Sequence, residues 1–295
     1  MWKQSQSEEE LRQLLDLVGL RYTVGRDDEG FPTANFRFAV EPDAKPIRFT
    51  AVLHEPVLIV SAHESFAAAE DHLNEELAQL NELNSHWLRG NVHLDSEGSS
   101  YQLQSGVYLG AGEHAQVAVR EGILTIRDAV RWIRSGWWRS VDSSSAFEEF
   151  IQLQNLHLPS TTNAEALTHL NRFWAESGIT MQIDSQGNTL SGHFSAADTI
   201  FNLKVSYLEG RVIQIETRPN QPLKSTPATA PWEMIQELNR KVDAGAIAWS
   251  TTDSHLSWQV SLPLAWTAVD STLAQWIIHA AKQVNTLILE SLAAR

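Results

Sequence analysis

The eleven histidines are the first candidates for chemistry in this chain, because imidazole ligates transition metals and titrates near neutral pH. Their spacing does not form a site. No His-Glu-x-x-His pair occurs, and His54/His63, His63/His72 and His86/His93 stand nine, nine and seven residues apart, too far for adjacent helical turns. Only neighbouring strands would bring His54 to His63. The chain has no cysteine, which excludes disulfides, thiol catalysis and cysteine-ligated metal centres. Carboxylates are abundant, but Glu8-Glu9-Glu10 reads as the first turn of a helix and Asp27-Asp28-Glu29-Gly30 as a hairpin turn. Gly110-Ala111-Gly112 is too short for a phosphate-binding loop, and no nucleophile elbow is present. The expectation is a protein with no catalytic, cofactor-binding or metal-binding residues, hence not an enzyme.

A binding surface is the better candidate. Residues 127–139 set Arg127, Arg131, Arg134 and Arg139 beside Trp132, Trp137 and Trp138. Arg127, Arg131 and Arg134 share one face of a helix, and Trp and Arg are the side chains most enriched at interaction hot spots. Arg127, Arg131, Arg134, Trp137, Trp138 and Arg139 are therefore the expected partner-binding residues, for an acidic or apolar protein partner. Trp132, Trp174, Trp249, Trp258 and Trp276 fall on apolar stripes and are expected in cores.

Charge narrows the partner. A net charge of −14 opposes nucleic-acid binding, which depends on Lys and Arg displacing condensed counterions. No stretch approaches the roughly 20 apolar residues that a membrane-spanning helix needs, and the first residues lack the pattern of a secretory signal. A cytoplasmic location and no membrane partner are expected.

The elements that must position these residues are written twice. Leu11, Leu14, Leu15 and Gly19 match Leu170, Phe173, Trp174 and Gly178 at a spacing of 159 residues, and Leu80-Asn81 matches Leu238-Asn239 at 158. Val92, Tyr101, Leu103 and Leu109 match Ile247, Leu256, Trp258 and Leu264 at 155, and Val119, Ile123 and Val130 match Leu273, Ile277 and Val284 at 154. Near-constant spacing that shifts only at loops is the mark of an internal repeat. Each copy predicts a helix (8–18; 163–177), strands near 21–26, 34–40, 47–53 and 57–62 (179–184, 189–194, 200–207 and 211–217), and a middle helix (70–88; 231–243). A hairpin (91–108; 246–262) and a last helix follow. Gly19 and Gly178 are helix stops, and Pro231 is expected at the first helical position. Gly122 leaves a second reading of 116–126, as a hairpin turning at Glu121-Gly122. The heptad spacing of both last helices allows them to pair across the copies, although cover of their own sheets is favoured. The division is a first domain 1–145, a linker with a short helix 146–162, and a second domain 163–295.

The order helix, strand meander, helix with Leu-Asn near its end, hairpin, helix resembles the YbjN-type domains, a family of bacterial sensory transduction regulators, and their relatives with the type III secretion chaperone fold. The residues that carry the resemblance are Leu80-Asn81-Glu82-Leu83-Asn84 before the first hairpin, and Leu238-Asn239 before the second, which ends at Ser261-Leu262-Pro263-Leu264. With Asn81 set against Asn239, Val242 stands where the first copy has Asn84. Four strands precede the middle helix where the chaperone fold has three. The resemblance implies α+β architecture with two homologous two-layer domains, each an antiparallel sheet with helices on one face. It also implies protein binding without catalysis, and an internal pseudo-dimer that leaves further homo-oligomerisation open. The alternative is an enzyme or small-ligand-binding protein with its site in the cleft between the copies.

Overall fold

In the computed structural model, the described residues are 8–39, 44–64, 73–87, 89–95, 100–110, 115–134, 165–208, 211–220, 231–250, 254–265 and 267–294. The proposed linker, 146–162, and Trp137, Trp138 and Arg139 lie outside them. The first half runs α1 (Glu8–Asp16), β1 (Tyr22–Arg26), β2 (Pro32–Phe38), β3 (Ile47–His54), β4 (Val57–Glu64), α2 (Leu73–His86), β5 (Asn91–Leu94), β6 (Tyr101–Tyr108) and α3 (Ala115–Arg134). The second runs α4 (Ala166–Glu176), β7 (Met181–Ile183), β8 (Thr189–Ala196), β9 (Thr199–Leu208), β10 (Val212–Pro219), α5 (Trp232–Lys241), β11 (Ala246–Ser250), β12 (His255–Pro263) and α6 (Ser271–Ala293).

Each half forms a six-stranded antiparallel sheet with the same order of strands. The first is β1-β2-β3-β4-β6-β5 and the second β7-β8-β9-β10-β12-β11. Four strands make a meander, and the hairpin then adds its second strand to the fourth, leaving β5 and β11 at the edges.

Local chemistry explains the helices. Three glutamates occupy the first turn of α1, where the helix dipole favours negative charge, and Leu11 and Leu15 are fully buried on its inner face. Gly19 and Gly178 adopt φ of 73° and 75° just past α1 and α4, a left-handed conformation that glycine enters without a Cβ penalty. Pro231, expected as the first helical residue, sits instead at the N-cap of α5, one position before the first helical residue Trp232. Residues 115–134 form one continuous helix, so the hairpin reading of 116–126 is incorrect. Gly122 is there for packing: a Cβ at this position would collide with Val107 Cγ2 on β6, so glycine lets α3 lie close to its sheet. The last helices lie on their own sheets, α3 on β4 and β6, α6 on β8, β10 and β12, and the proposed heptad seam between them is not formed.

The middle helices cross over instead. α2 packs on β11 of the second half and α5 on β5 of the first. The two apolar cores interlock accordingly: Val57, Ile59 and Tyr108 enter the second half's core, and Val212 enters the first half's. Trp132, Trp174, Trp249, Trp258 and Trp276 are buried, as their positions on apolar stripes required.

The edges of the two sheets are closed by side-chain amides. Asn84 accepts from Val92 N–H at 2.8 Å and donates to Val92 C=O at 2.9 Å. Asn239 does the same to Ile247, at 2.7 and 2.9 Å. Across the seam, Asn81 accepts from Trp249 N–H at 2.7 Å and donates to Trp249 C=O at 3.1 Å, while Gln236 accepts from Leu94 N–H at 3.1 Å. The counterpart of Asn84 is thus Asn239, and that of Asn81 is Gln236, both at the hairpin's spacing of 155 residues. Pairing Asn81 with Asn239, which left Val242 opposite Asn84, was one helical turn out of register. Gly90 and Gly245 hold the same spacing, and a Cβ on either would strike the carbonyl of Gln104 or Gln259, themselves 155 apart.

An alanine at Asn239 would leave a buried N–H and C=O of β11 without a partner, each costing about 1–3 kcal/mol. Asn239→Ala is expected to lower unfolding stability by about 2–4 kcal/mol in urea melts, whereas an exposed change such as Gln182→Ala stays within about 0.5 kcal/mol.

Candidate functional site

The seam opens on one side into a cleft of 720 Å³. The β1–β2 and β3–β4 turns of the first half form one wall, with Phe31, Pro32, His54 and Pro56, and the end of α5 and one stripe of α6 form the other. On α6 the stripe is Trp276, His279, Ala280, Gln283, Val284 and Leu287, a helical i, i+3, i+4, i+7 pattern. Arg26, Arg240 and Lys241 set three cations around the mouth against Glu29, Glu55 and Asp243. Arg26 and Lys241 are already paired, with Glu8 at 3.3 Å and Glu237 at 2.7 Å.

One ion pair crosses the cleft: His54 Nδ1 lies 3.3 Å from Asp243 Oδ1. The ring packs on Phe31 with 3.9 Å between centroids, and its Nε2 is buried with no hydrogen-bond partner among the described residues. A general base needs an accessible nitrogen within reach of its substrate, and this arrangement suits a latch better. Burial alone would push the imidazole's pKa down, but the bond to Asp243 and the charges of Asp243, Asp27 and Glu29 outweigh it and hold it above the ordinary value. Further in, Tyr108 packs on Trp276 at 5.2 Å between centroids. Burial, with the Asp270 charge second, pushes its phenol well above the usual tyrosine range, so it stays neutral.

A second polar chain runs through the seam. His63 Nδ1 meets the Gln102 amide at 3.0 Å, the same amide meets His93 Nε2 at 3.0 Å, and His93 Nδ1 meets Asn91 Oδ1 at 2.8 Å. Asn91 then donates through Nδ2 to Gly245 C=O at 2.9 Å in the other half. That last bond turns the Asn91 oxygen toward His93, whose two ring nitrogens thus both face amide oxygens, Asn91 Oδ1 and Gln102 Oε1. Burial pushes His93 down to about 4.

The expected partner-binding arginines lie elsewhere, on α3. Arg127 bonds Asp128 through Nε and Nη2, both at 2.8 Å, and Arg131 Nη1 approaches the same carboxylate at 3.5 Å. Arg131 is exposed and Arg134 half-buried, three residues further along the same helix. Asp128 thus gathers two of the three and offsets part of their charge, which the count of basic residues had not included. The histidine test also resolves: His54 pairs with Val57 at one end of the β3–β4 ladder and His63 with Arg48 at the other, so they do not meet. Among the described residues, no group of three or more His, Asp or Glu is placed to hold a metal ion, and no helix is long and apolar enough to cross a membrane.

The pair His54–Asp243 had no sequence signal, since its members belong to different halves. Comparison of the chain with known protein families, with curated proteins and with solved structures finds no match.

Because His54 has a raised pKa in the folded protein, its contribution to stability is complete below its unfolded value near 6.5 and is lost as pH rises through the folded value. Asp243→Asn should move the His54 titration, followed by NMR, to lower pH, and an unchanged titration would show that the pair does not form. His93 has the opposite sign. Its depressed pKa costs stability as pH falls from about 6.5 toward 4, by roughly 3 kcal/mol at most. His93→Gln should flatten that acid limb in denaturation midpoints measured across the window.

Proposed function

We propose that this chain is a non-catalytic protein-binding module, chaperone-like or regulatory, in which two homologous domains form a pseudo-dimer within one polypeptide, as the YbjN resemblance implies. The observation that carries this reading is the reciprocal seam. Asn81 and Gln236 reach across to equivalent edge strands, and Gln104 and Gln259 reach equivalent helix ends, with Nε2 donating to Val242 C=O at 2.6 Å and to Ser85 C=O at 2.5 Å. An exchange of that kind is how two copies of one domain would pair. A fixed pair offers duplicated surfaces to a partner without needing a reactive group.

The proposed partner-binding residues are Arg127, Arg131 and Arg134 on α3, with Trp137, Trp138 and Arg139, which follow them in the sequence. A cytoplasmic location agrees with this reading. Arg134→Ala with Trp138→Ala is expected to reduce capture of protein partners, or self-association, by about tenfold or more with far-UV circular dichroism unchanged. Equal capture by the folded variant would remove this surface from the proposal.

A second reading has one specific observation behind it: the 720 Å³ cleft mixes aromatic and titratable lining, as small-ligand sites do. Its expected signature is quenching of Trp276 and Trp258 fluorescence by a bound small molecule, lost in Trp276→Phe.

A further inference from the structure

We propose that the open face of the first sheet, at Arg21, Arg37 and Arg48, docks a short acidic segment of a partner protein. The inference rests on the protein-binding reading and gives it a second surface and a partner chemistry. Facing residues in the register form the row Arg37, Arg48, His63, Gln102, His93 across β2, β3, β4, β6 and β5. Arg21 borders the same shallow groove of 620 Å³. The row is buried at its His93 end by the second half and open at its arginine end, where Arg21, Arg37 and Arg48 are all exposed.

Arg37 and Arg48 stand directly opposite each other on adjacent strands. Like charges so placed have Cβ atoms about 5 Å apart and destabilise the sheet. None of the three arginines has a carboxylate partner among the described residues, whereas Arg26, Arg172 and Lys241 each have one. The second sheet carries different residues on the same architecture. At the places of Arg37, Arg48 and His63 it carries His193, Asn202 and Arg218, and in the adjoining row Lys204 faces Glu216, an opposite-charge pair. An arginine pair without a carboxylate partner among the described residues, in a chain of net charge −14, is accounted for by an anion supplied from outside.

The groove's shape and surroundings select the anion. Guanidinium forks match carboxylates in a bidentate manner. Two inter-strand steps of about 4.8 Å equal roughly three residues of an extended segment, so two or three acidic residues in a short stretch reach all three arginines. Thr23, Asn35 and Thr50 form a hydroxyl and amide row alongside, with Thr50 Oγ1 donating to Asn35 Oδ1 at 3.1 Å. A nucleic acid would extend past this patch by more than the roughly 8 Å screening length, setting phosphates against an acidic surface. A short peptide does not. His63 is a built-in reporter: burial first, and the Arg48 charge second, hold its pKa below the ordinary value, so carboxylates that neutralise Arg48 raise it.

The test uses the full chain and a fluorescein-labelled decaglutamate peptide, followed by anisotropy, with decaglutamine and a single-stranded RNA decamer as controls. The expected result is salt-sensitive binding of decaglutamate alone, weakened about tenfold or more in Arg37→Gln with Arg48→Gln, unchanged in Arg172→Gln, an exposed arginine already paired with Glu176, and accompanied by an upward shift of the His63 titration. The sheet variant should also be at least as stable as the parent chain. The proposal is overturned if decaglutamate does not bind, if the sheet variant binds it equally, if RNA binds more tightly through the same arginines, or if the sheet variant instead dissolves a homodimer. Failure here with intact loss of partner capture in Arg134→Ala/Trp138→Ala would remove only this surface; failure of the α3 variant alone would leave this one standing.

Discussion

Everything in the architecture depends on how the edges of β5 and β11 are closed. An edge strand exposes a row of N–H and C=O groups that water or another strand must satisfy, and these two edges are buried, so only protein groups can do it. The middle helices supply amides. Asn84 and Asn239 bind the edge within each half, and Asn81 and Gln236 bind the opposite edge across the seam. An amide side chain fits because it presents a donor and an acceptor at about the spacing of one residue's backbone pair. With the edges closed in this reciprocal way, neither half's middle helix can settle without the other half's strand.

That constraint propagates outward. Gly106 permits the close approach of the Asp243–Ala244 segment, since a Cβ there would collide with the Asp243 carbonyl, and the same segment carries Asp243 to His54. Val57 and Val212, 155 residues apart, each insert into the other half's core. The outer faces of the sheets are consequently divided: the β5/β6 and β11/β12 ends are covered, and the β1–β3 and β7–β9 ends stay open. On the open ends the halves part company, with the arginine row without a carboxylate partner among the described residues on one and Lys204 facing Glu216 on the other.

Much of this frame was legible in the sequence because it follows local rules. Alternation placed the strands, apolar stripes placed the helices, and Gly19 and Gly178 marked helix ends by a conformation that other residues avoid. The errors have physical causes. Leu80-Asn81 aligns with Leu238-Asn239 because the letters agree, but an amide's role is fixed by which strand edge it reaches, and Gln236 takes the accepting half of the role of Asn81, its Nε2 being buried with no partner among the described residues. Gly122 raised a hairpin reading because propensity counts the helix cost and cannot count the contact with Val107. The Arg37–Arg48 pair and the His54–Asp243 latch needed register and tertiary proximity, which no spacing along the chain reveals. Arg127, Arg131 and Arg134 stand on α3 as their spacing requires, but Asp128, adjacent to Arg127 and on the same stretch of helix, takes part of the charge of Arg127 and Arg131.

The central claim is that the cross-seam amides make the two halves one cooperative unit. Urea unfolding followed by tryptophan fluorescence and far-UV circular dichroism on Asn81→Ala with Gln236→Ala tests it most directly. The account predicts a single coincident transition for the parent chain and two separated transitions, or a clearly reduced slope, for the double variant. A double variant that unfolds in one coincident transition with an unchanged midpoint would contradict it.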